Sequence, residues 1–314
     1  MTPVTAEPGR TAAGAGTRMT EIADGVLAYV QAGGGWCVNN AGLVTGGGRS
    51  VLVDTVATQA RAQRLRTAVH GVTGRDPDVL VNTHHHGDHV FGNALFSPAA
   101  TVVAHERTRV EMAQAGHGLR SLFPAVEWGD LPLELPLLTF ADAVTVHAGD
   151  LPVHVRHLGP AHTTNDAVVW IPDRGVLFAG DVVMSGVTPY CLMGSVTGSL
   201  AVLAELRALG ATTLVPGHGP VGGPELLDAT ERYLTRVLEL ARAGTAAGAT
   251  ALEVARGADL GEFACWVDAE RIVGNLHRAY ADLAAPYAPG APLDVGASFR
   301  EMVAFHGGPP VCHA

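Results

Sequence analysis

This sequence contains no lysine: all 20 of its basic residues are arginines. The absence excludes Schiff-base chemistry and every other mechanism that needs a side-chain amine. Beside heavy alanine and glycine use, it reads as a mark of GC-rich coding rather than of a physical demand. Charge of either sign is sparse, at 16% of 314 residues, and 20 arginines against 30 carboxylates leave a net charge of −10. Binding to a phosphate backbone needs many cationic contacts, so nucleic acid is not an expected partner. The four cysteines, Cys37, Cys191, Cys265 and Cys312, stand far apart, without CxxC spacing or the density of a disulfide scaffold. They are expected to be free thiols in a reducing cytoplasm.

Long apolar runs are missing as well. Val182 to Ala204 is uncharged between Asp181 and Glu205, but Gly186, Pro189, Gly194 and Gly198 break it as a transmembrane helix, so no membrane association is expected. The first eighteen residues mix Pro, Gly, Glu and Arg and have no apolar h-region. They read as a flexible tail over 1–18 and not as a secretory signal.

What the sequence does have is apolar material, 47% of its residues, with 39 glycines to turn it. That suits a buried core and is far from the composition of a disordered chain. Alternation and β-branched runs predict strands at Val26–Val30, Cys37–Thr45, Val51–Thr55, Val79–Asn82, Thr101–Ala104, Val144–His147, Val153–Leu158, Ala167–Ile171, Val176–Ala179 and Thr212–Val215. Helical spacing marks Ala57–Val69 and Leu200–Leu209. From Pro224 it dominates, with helices at Ala249–Ala255 and Asp268–Leu283 and a loop over Pro286–Gly296. The pattern predicts an α/β core over 19–225 and a helical C-terminal extension over 226–314.

The strongest local signal is Thr83-His84-His85-His86-Gly87-Asp88-His89, set directly after a buried strand. An HxHxDH match arises by chance in such a chain with a probability on the order of 0.002, and the interleaved Asp and Gly argue against an embedded tag. Imidazole nitrogens and carboxylates are zinc ligands, and a glycine lets a short loop aim several of them at one point. One loop cannot surround a metal. Partner candidates end other apolar runs: His162 in Gly159–Asp166, Asp181 after Leu177–Gly180, and His218 in Val215–Pro220. Each alone is weak, since a lone histidine is more often structural and a strand-end aspartate is commonly a helix cap. Their order beside HxHxDH carries the inference. His70, His85, His105, His117, His147, His154, His157, His277, His306 and His313 match no ligand position and read as structural or surface residues.

On these residues the sequence resembles the metallo-β-lactamase superfamily, over about residues 19–225. The resemblance implies an αββα sandwich with metals at the sheet edge: His84, His86 and His162 on a first zinc, Asp88, His89 and His218 on a second, and Asp181 bridging. Iron or manganese would suit the same donors. An aspartate at the bridging position is similar to the glyoxalase II and hydrolase branches, where the di-zinc β-lactamases carry cysteine. Two such ions generate a nucleophilic hydroxide and polarise a carbonyl, which makes hydrolysis of an ester-like bond the default, and Asp88 is the candidate proton acceptor beside them. Asp166 or backbone carbonyls are candidates for orienting the histidine rings.

Two segments offer substrate walls: Gly33-Gly34-Gly35-Trp36-Cys37-Val38-Asn39-Asn40, and Met184 to Gly194 with Met184, Tyr190, Leu192 and Met193. Together they suit a large flat molecule, although packed loops would read the same way. Gly34-Gly35-Trp36-Cys37, Asn39-Asn40-Ala41-Gly42, the HxHxDH segment, Gly159-Pro160-Ala161-His162-Thr163-Thr164, Leu192-Met193-Gly194-Ser195 and Gly261-Glu262-Phe263 resemble the metallo-β-lactamase-like cyclase/thioesterases of type II aromatic polyketide pathways. That likeness implies intramolecular aldol closure on a polyketide tethered to an acyl carrier protein, followed by thioester cleavage. Arg61, Arg64 and Arg66, or Arg107 and Arg109, are candidate contacts for an acidic carrier, with a solvated helix face as the bland reading. The rivals are a general thioesterase or lactonase of glyoxalase II type and a non-catalytic metal-binding scaffold of a synthase complex. Assembly into a homo-oligomer stays open.

Overall fold

The computed structural model describes residues 17–286 and 288–314. The predicted tail falls largely outside the described residues, and its last residue, Arg18, already opens a strand. One sheet runs in sequence order through β1 (Arg18–Ala23), β2 (Val26–Val30), β3 (Ala41–Gly46), β4 (Arg49–Val53), β5 (Val79–Val81), β6 (Thr101–His105) and β7 (Leu138–Phe140). The second comprises β8 (Ala143–Ala148), β9 (Leu151–His157), β10 (Ala167–Ile171), β11 (Val176–Met184) and β12 (Thr213–His218), in the order β12-β11-β10-β9-β8. Helices are α1 (Gln59–Thr73), α2 (Gly87–Val90), α3 (Glu106–Ala115), α4 (Leu119–Leu122), α5 (Val196–Ala208), α6 (Glu225–Ala247), α7 (Ala251–Gly257), α8 (Arg271–Ala284) and α9 (Val295–His306).

Side-chain alternation explains the layers. In β11, Val176 and Phe178 face the opposite sheet and pack with Val44, Val51 and Val153, while Leu177 and Ala179 turn outward to Val202, Leu203 and Leu234 of α5 and α6. On the other side Leu43, Leu52 and Leu80 pack against Leu65 and Val69 of α1. Helices thus cover both outer faces of two stacked sheets, the expected αββα sandwich. β4, β5, β6 and β7 are parallel neighbours, as are β11 and β12. Their C-terminal ends therefore open on one edge, where polar residues can converge.

Several boundaries differ from those read in the sequence. The strand predicted from Cys37 starts at Ala41, because Cys37 takes a left-handed φ of 63° and Trp36 to Asn40 form a loop. The strand predicted to stop at Ala179 runs to Met184, and that predicted to stop at Val215 runs to His218. α5 begins at Val196, where Ser195 caps it, and α8 begins at Arg271. The predicted loop from Pro286 ends at Asp294, whose carboxylate accepts from Ala297 N–H to start α9, a helix the sequence pattern did not reveal.

Candidate metal centre

The ligand loop is pinned before its histidines appear. Asp54, at the end of β4, accepts from Thr83 N and from Thr83 Oγ1, both at 2.7 Å. His86 is extended and precedes the short α2, whose first turn delivers Asp88 and His89. His162 rides on a loop organised by Asp166, whose carboxylate accepts from Ala161 N at 3.2 Å and from Thr163 N and Oγ1 at 2.8 and 2.6 Å. Asp181 is aimed inward by a break in the β11–β12 register on either side of Gly180, whose φ of 51° only glycine adopts at ease. Gly217 makes room for it: a Cβ there would stand 1.9 Å from Asp181 Oδ1.

The seven side chains named from the sequence meet in two groups, His84, His86, His162 and Asp181, and Asp88, His89 and His218, with the donor atoms of each within 4.8 Å of one another. His86 Nδ1 lies 3.1 Å from His84 Nε2 and 2.8 Å from His162 Nε2. Asp181 Oδ2 is 3.4 Å from both His162 Nε2 and His218 Nε2, and its Oδ1 is 3.0 Å from His89 Nε2, so this one carboxylate touches both groups.

The remote ring nitrogens show what the near ones offer. His162 Nδ1 donates to Tyr190 O, and His218 Nδ1 to Gly34 O at 2.9 Å. A carbonyl only accepts, so in the neutral rings both Nε2 atoms are lone pairs turned to the centre. Thr83 Oγ1 gives its proton to Asp54 and can accept from His84 Nδ1 at 3.1 Å, which turns the His84 Nε2 lone pair inward too. Burial holds His84 and His86 well below the ordinary imidazole value and pushes His162 down to about 4, so these crowded rings stay neutral. In the second group burial opposes charge, yet Asp181 and Asp54 hold His89 well above its ordinary value, and Asp181 with Asp88 raises His218 to about 9. Carboxylates here favour positive charge. His89 Nε2 and Asp181 Oδ1 are sealed from solvent and face each other at 3.0 Å without the alignment of a hydrogen bond, and neither bonds any other described residue. Converging lone pairs and flanking carboxylates fit a pair of divalent cations.

The sequence pattern does not single out Asp54, and the carboxylate of Asp166, expected in that role, bonds its own loop and no ligand ring. Asp54 accepts from His89 Nδ1 at 2.9 Å and fixes the loop start as well. An aspartate ending an apolar strand was the available signal. Asp54→Ala is expected to weaken zinc affinity about 10- to 100-fold while the protein stays folded, measured by competition with a chromogenic chelator.

A cavity of about 250 Å³ opens on this centre, with His86, Asp88, His162, Asp181 and His218 at its base. Trp36, Met184, Tyr190 and Met193 line it as expected. Asn40 and Leu192 do not. Asn40 is buried behind the site, donating to Pro216 O and Gly219 O at 2.9 and 2.7 Å, and Leu192 is fully buried in the helical core. Leu119 and Leu122 of α4, Val295 and Phe299 of α9, and Arg271 complete the wall, so the helical extension builds part of the site. Trp36 is fixed on three sides: its Nε1 donates to Glu270 Oε1 at 2.6 Å, the Arg271 guanidinium lies 4.1 Å from its ring, and Tyr190 meets it edge-on at 5.4 Å.

Residues 34–218 match the model of the metallo-beta-lactamase superfamily, and the chain belongs to that superfamily. It is 24% identical over 230 residues to a metallo-beta-lactamase type 2 of Bacteroides fragilis, covering 70% of this chain and 86% of that protein. It is 28% identical over 138 residues to a hydroxyacylglutathione hydrolase of Methylococcus capsulatus, covering 43% of this chain and 45% of that protein. Among solved structures, a metallo-beta-lactamase from Pontibacter korlensis superposes with a TM-score of 0.60 at 23% identity, over 70% of this chain and 99% of that one. The family match ends at His218, before α6 begins at Glu225. No helix among the described residues is long and apolar enough to cross a membrane.

Proposed function

We propose that this protein is a two-zinc cyclase/thioesterase that closes a ring on an aromatic polyketide carried by an acyl carrier protein and then cleaves the thioester. The observation that carries the reading is the aromatic cavity set directly on the metal centre. Trp36, Tyr190 and Phe299 meet edge-on, with ring centroids 5.4 and 6.5 Å from Trp36, leaving apolar walls suited to a planar, partly cyclised chain. When bound, two divalent ions supply Lewis acidity toward a carbonyl and acidify water enough for attack at neutral pH.

The chain's own residues supply the rest. Burial works against charge on Asp88, but His218 and His89 hold its carboxyl below the usual value, so it stands ionised at the cavity base as a proton acceptor. In ring closure it takes the proton from a carbon between two carbonyls, and in thioester cleavage the proton of the attacking water. The walls exclude bulk water while the new bond forms. A glutathione-thioester hydrolase needs cations for its anionic peptide. Arg271, the one arginine in the cavity wall among the described residues, is committed to Trp36, to Thr188 O at 3.1 Å and to Asp268 at 2.8 Å.

The test is mass spectrometry of the products formed from a carrier-bound polyketide whose first ring is already closed. A released product lighter by one further water than the uncyclised acid supports both activities. Release without that loss reduces the protein to a thioesterase, and no release from zinc-loaded protein overturns the proposal.

A further inference from the structure

His85 stands between two of the clustered histidines, yet its ring turns away from the metal centre. Its Nδ1 is 2.9 Å from Asn165 Nδ2 and 3.5 Å from Glu111 Oε2. The carboxamide of Asn165 is oriented from behind, its Oδ1 accepting from Thr108 Oγ1 at 3.1 Å, so the amide presents N–H to His85. An Nδ1 that accepts leaves the ring proton on Nε2. That atom has no hydrogen-bond partner among the described residues, and the ring, in a residue only 5% exposed, lines the cavity 4.7 Å, centroid to centroid, from His86. Thr108 and Asn165 thus orient the histidine with its Nδ1 accepting, which leaves its remaining N–H for the cavity beside the metal centre, an arrangement that no metal ligand requires.

We infer that His85 is a substrate-binding residue whose Nε2–H takes a second oxygen of the substrate, adjacent to the carbonyl placed at the metal centre. The short distance between His85 and His86 fits both oxygens within one 1,3-dicarbonyl unit, which makes 3-oxoacyl compounds the preferred substrate class over plain acyl ones. This rests on the cyclase/thioesterase reading for the carbonyl at the metals, but its test requires no turnover. A site built to donate to an oxygen discriminates strongly against the analogue that lacks it.

The experiment compares 1-phenylbutane-1,3-dione with 1-phenylbutan-1-one by calorimetric titration of zinc-loaded wild type, His85→Phe and His85→Gln, with zinc content measured for each. Chelation of zinc by the diketone is common to all three proteins, so differences between them report on residue 85. The diketone-to-monoketone affinity ratio is expected to fall roughly tenfold or more in His85→Phe and to recover in His85→Gln, which keeps an N–H near the same place. A ratio unchanged in His85→Phe overturns the inference, as does a His85→Gln that retains zinc but fails to restore the ratio. Failure of the thioesterase reading would appear separately, as thioesters left intact while the binding ratio still responds.

Discussion

Asp181→Ala is expected to reduce turnover by on the order of a thousandfold or more and to leave the protein unable to hold two metal ions. The argument is one of position. Among the described residues the Asp181 carboxylate lies against both donor groups, 3.4 Å from His162 and from His218 and 3.0 Å from His89. Without it His89 and His218 lose the carboxylate that favours their positive charge, and two divalent cations held here would repel each other unscreened. Asp181→Asn preserves the shape but not the charge and is expected to share most of the loss. Rates on a chromogenic thioester, with zinc counted per chain in the same samples, check both variants. Full activity with a single retained metal would remove the bridging role.

The largest stability effect is expected at Arg278, which is 1% exposed and lies deep in α8. Its guanidinium donates twice to Leu192 O, at 3.0 and 2.7 Å, and once to Ala291 O at 2.8 Å. It also stands beside Asp282, whose carboxylate accepts from Ser195 Oγ and Val196 N at the start of α5. Arg278→Ala leaves those carbonyls without donors and removes the cation beside the buried Asp282, at a cost of about 3–5 kcal/mol. In a chain of this size that lowers Tm by roughly 5–8 °C, read by thermal unfolding of the zinc-loaded protein. Because Met193 and Tyr190 flank the anchored Leu192, the variant is also expected to loosen one wall of the cavity.

The donor cluster was legible because each member follows or closes an apolar run in the sequence and HxHxDH has strong spacing, so local sequence encoded both the position and the donor type. The sandwich was legible for a related reason: β11 is buried on both faces while β9 alternates, and both patterns survive in the one-dimensional sequence. The walls were legible only in part. Asn40 and Leu192 sit next to cavity residues in sequence, but Asn40 is turned back to bond Pro216 and Gly219, and Leu192 faces the core; which side of an irregular loop a residue shows is fixed by tertiary contacts. Phe299 and Val295 were missed because α9 follows a loop rich in proline and glycine, and its weight in the site comes from docking across the cavity mouth. The sequence does not single out Asp54 or His85 for a third reason: the partners that orient them, His89 and Thr83 for one and Asn165 for the other, lie 29 to 80 residues away.

The most direct test of the two-metal account is native mass spectrometry of the protein after chelation and reloading with zinc. The account predicts two zinc ions per chain, both lost to chelator and both regained, with loading limited to one in Asp181→Ala. A wild-type chain that takes up one ion or none at saturating zinc would contradict it.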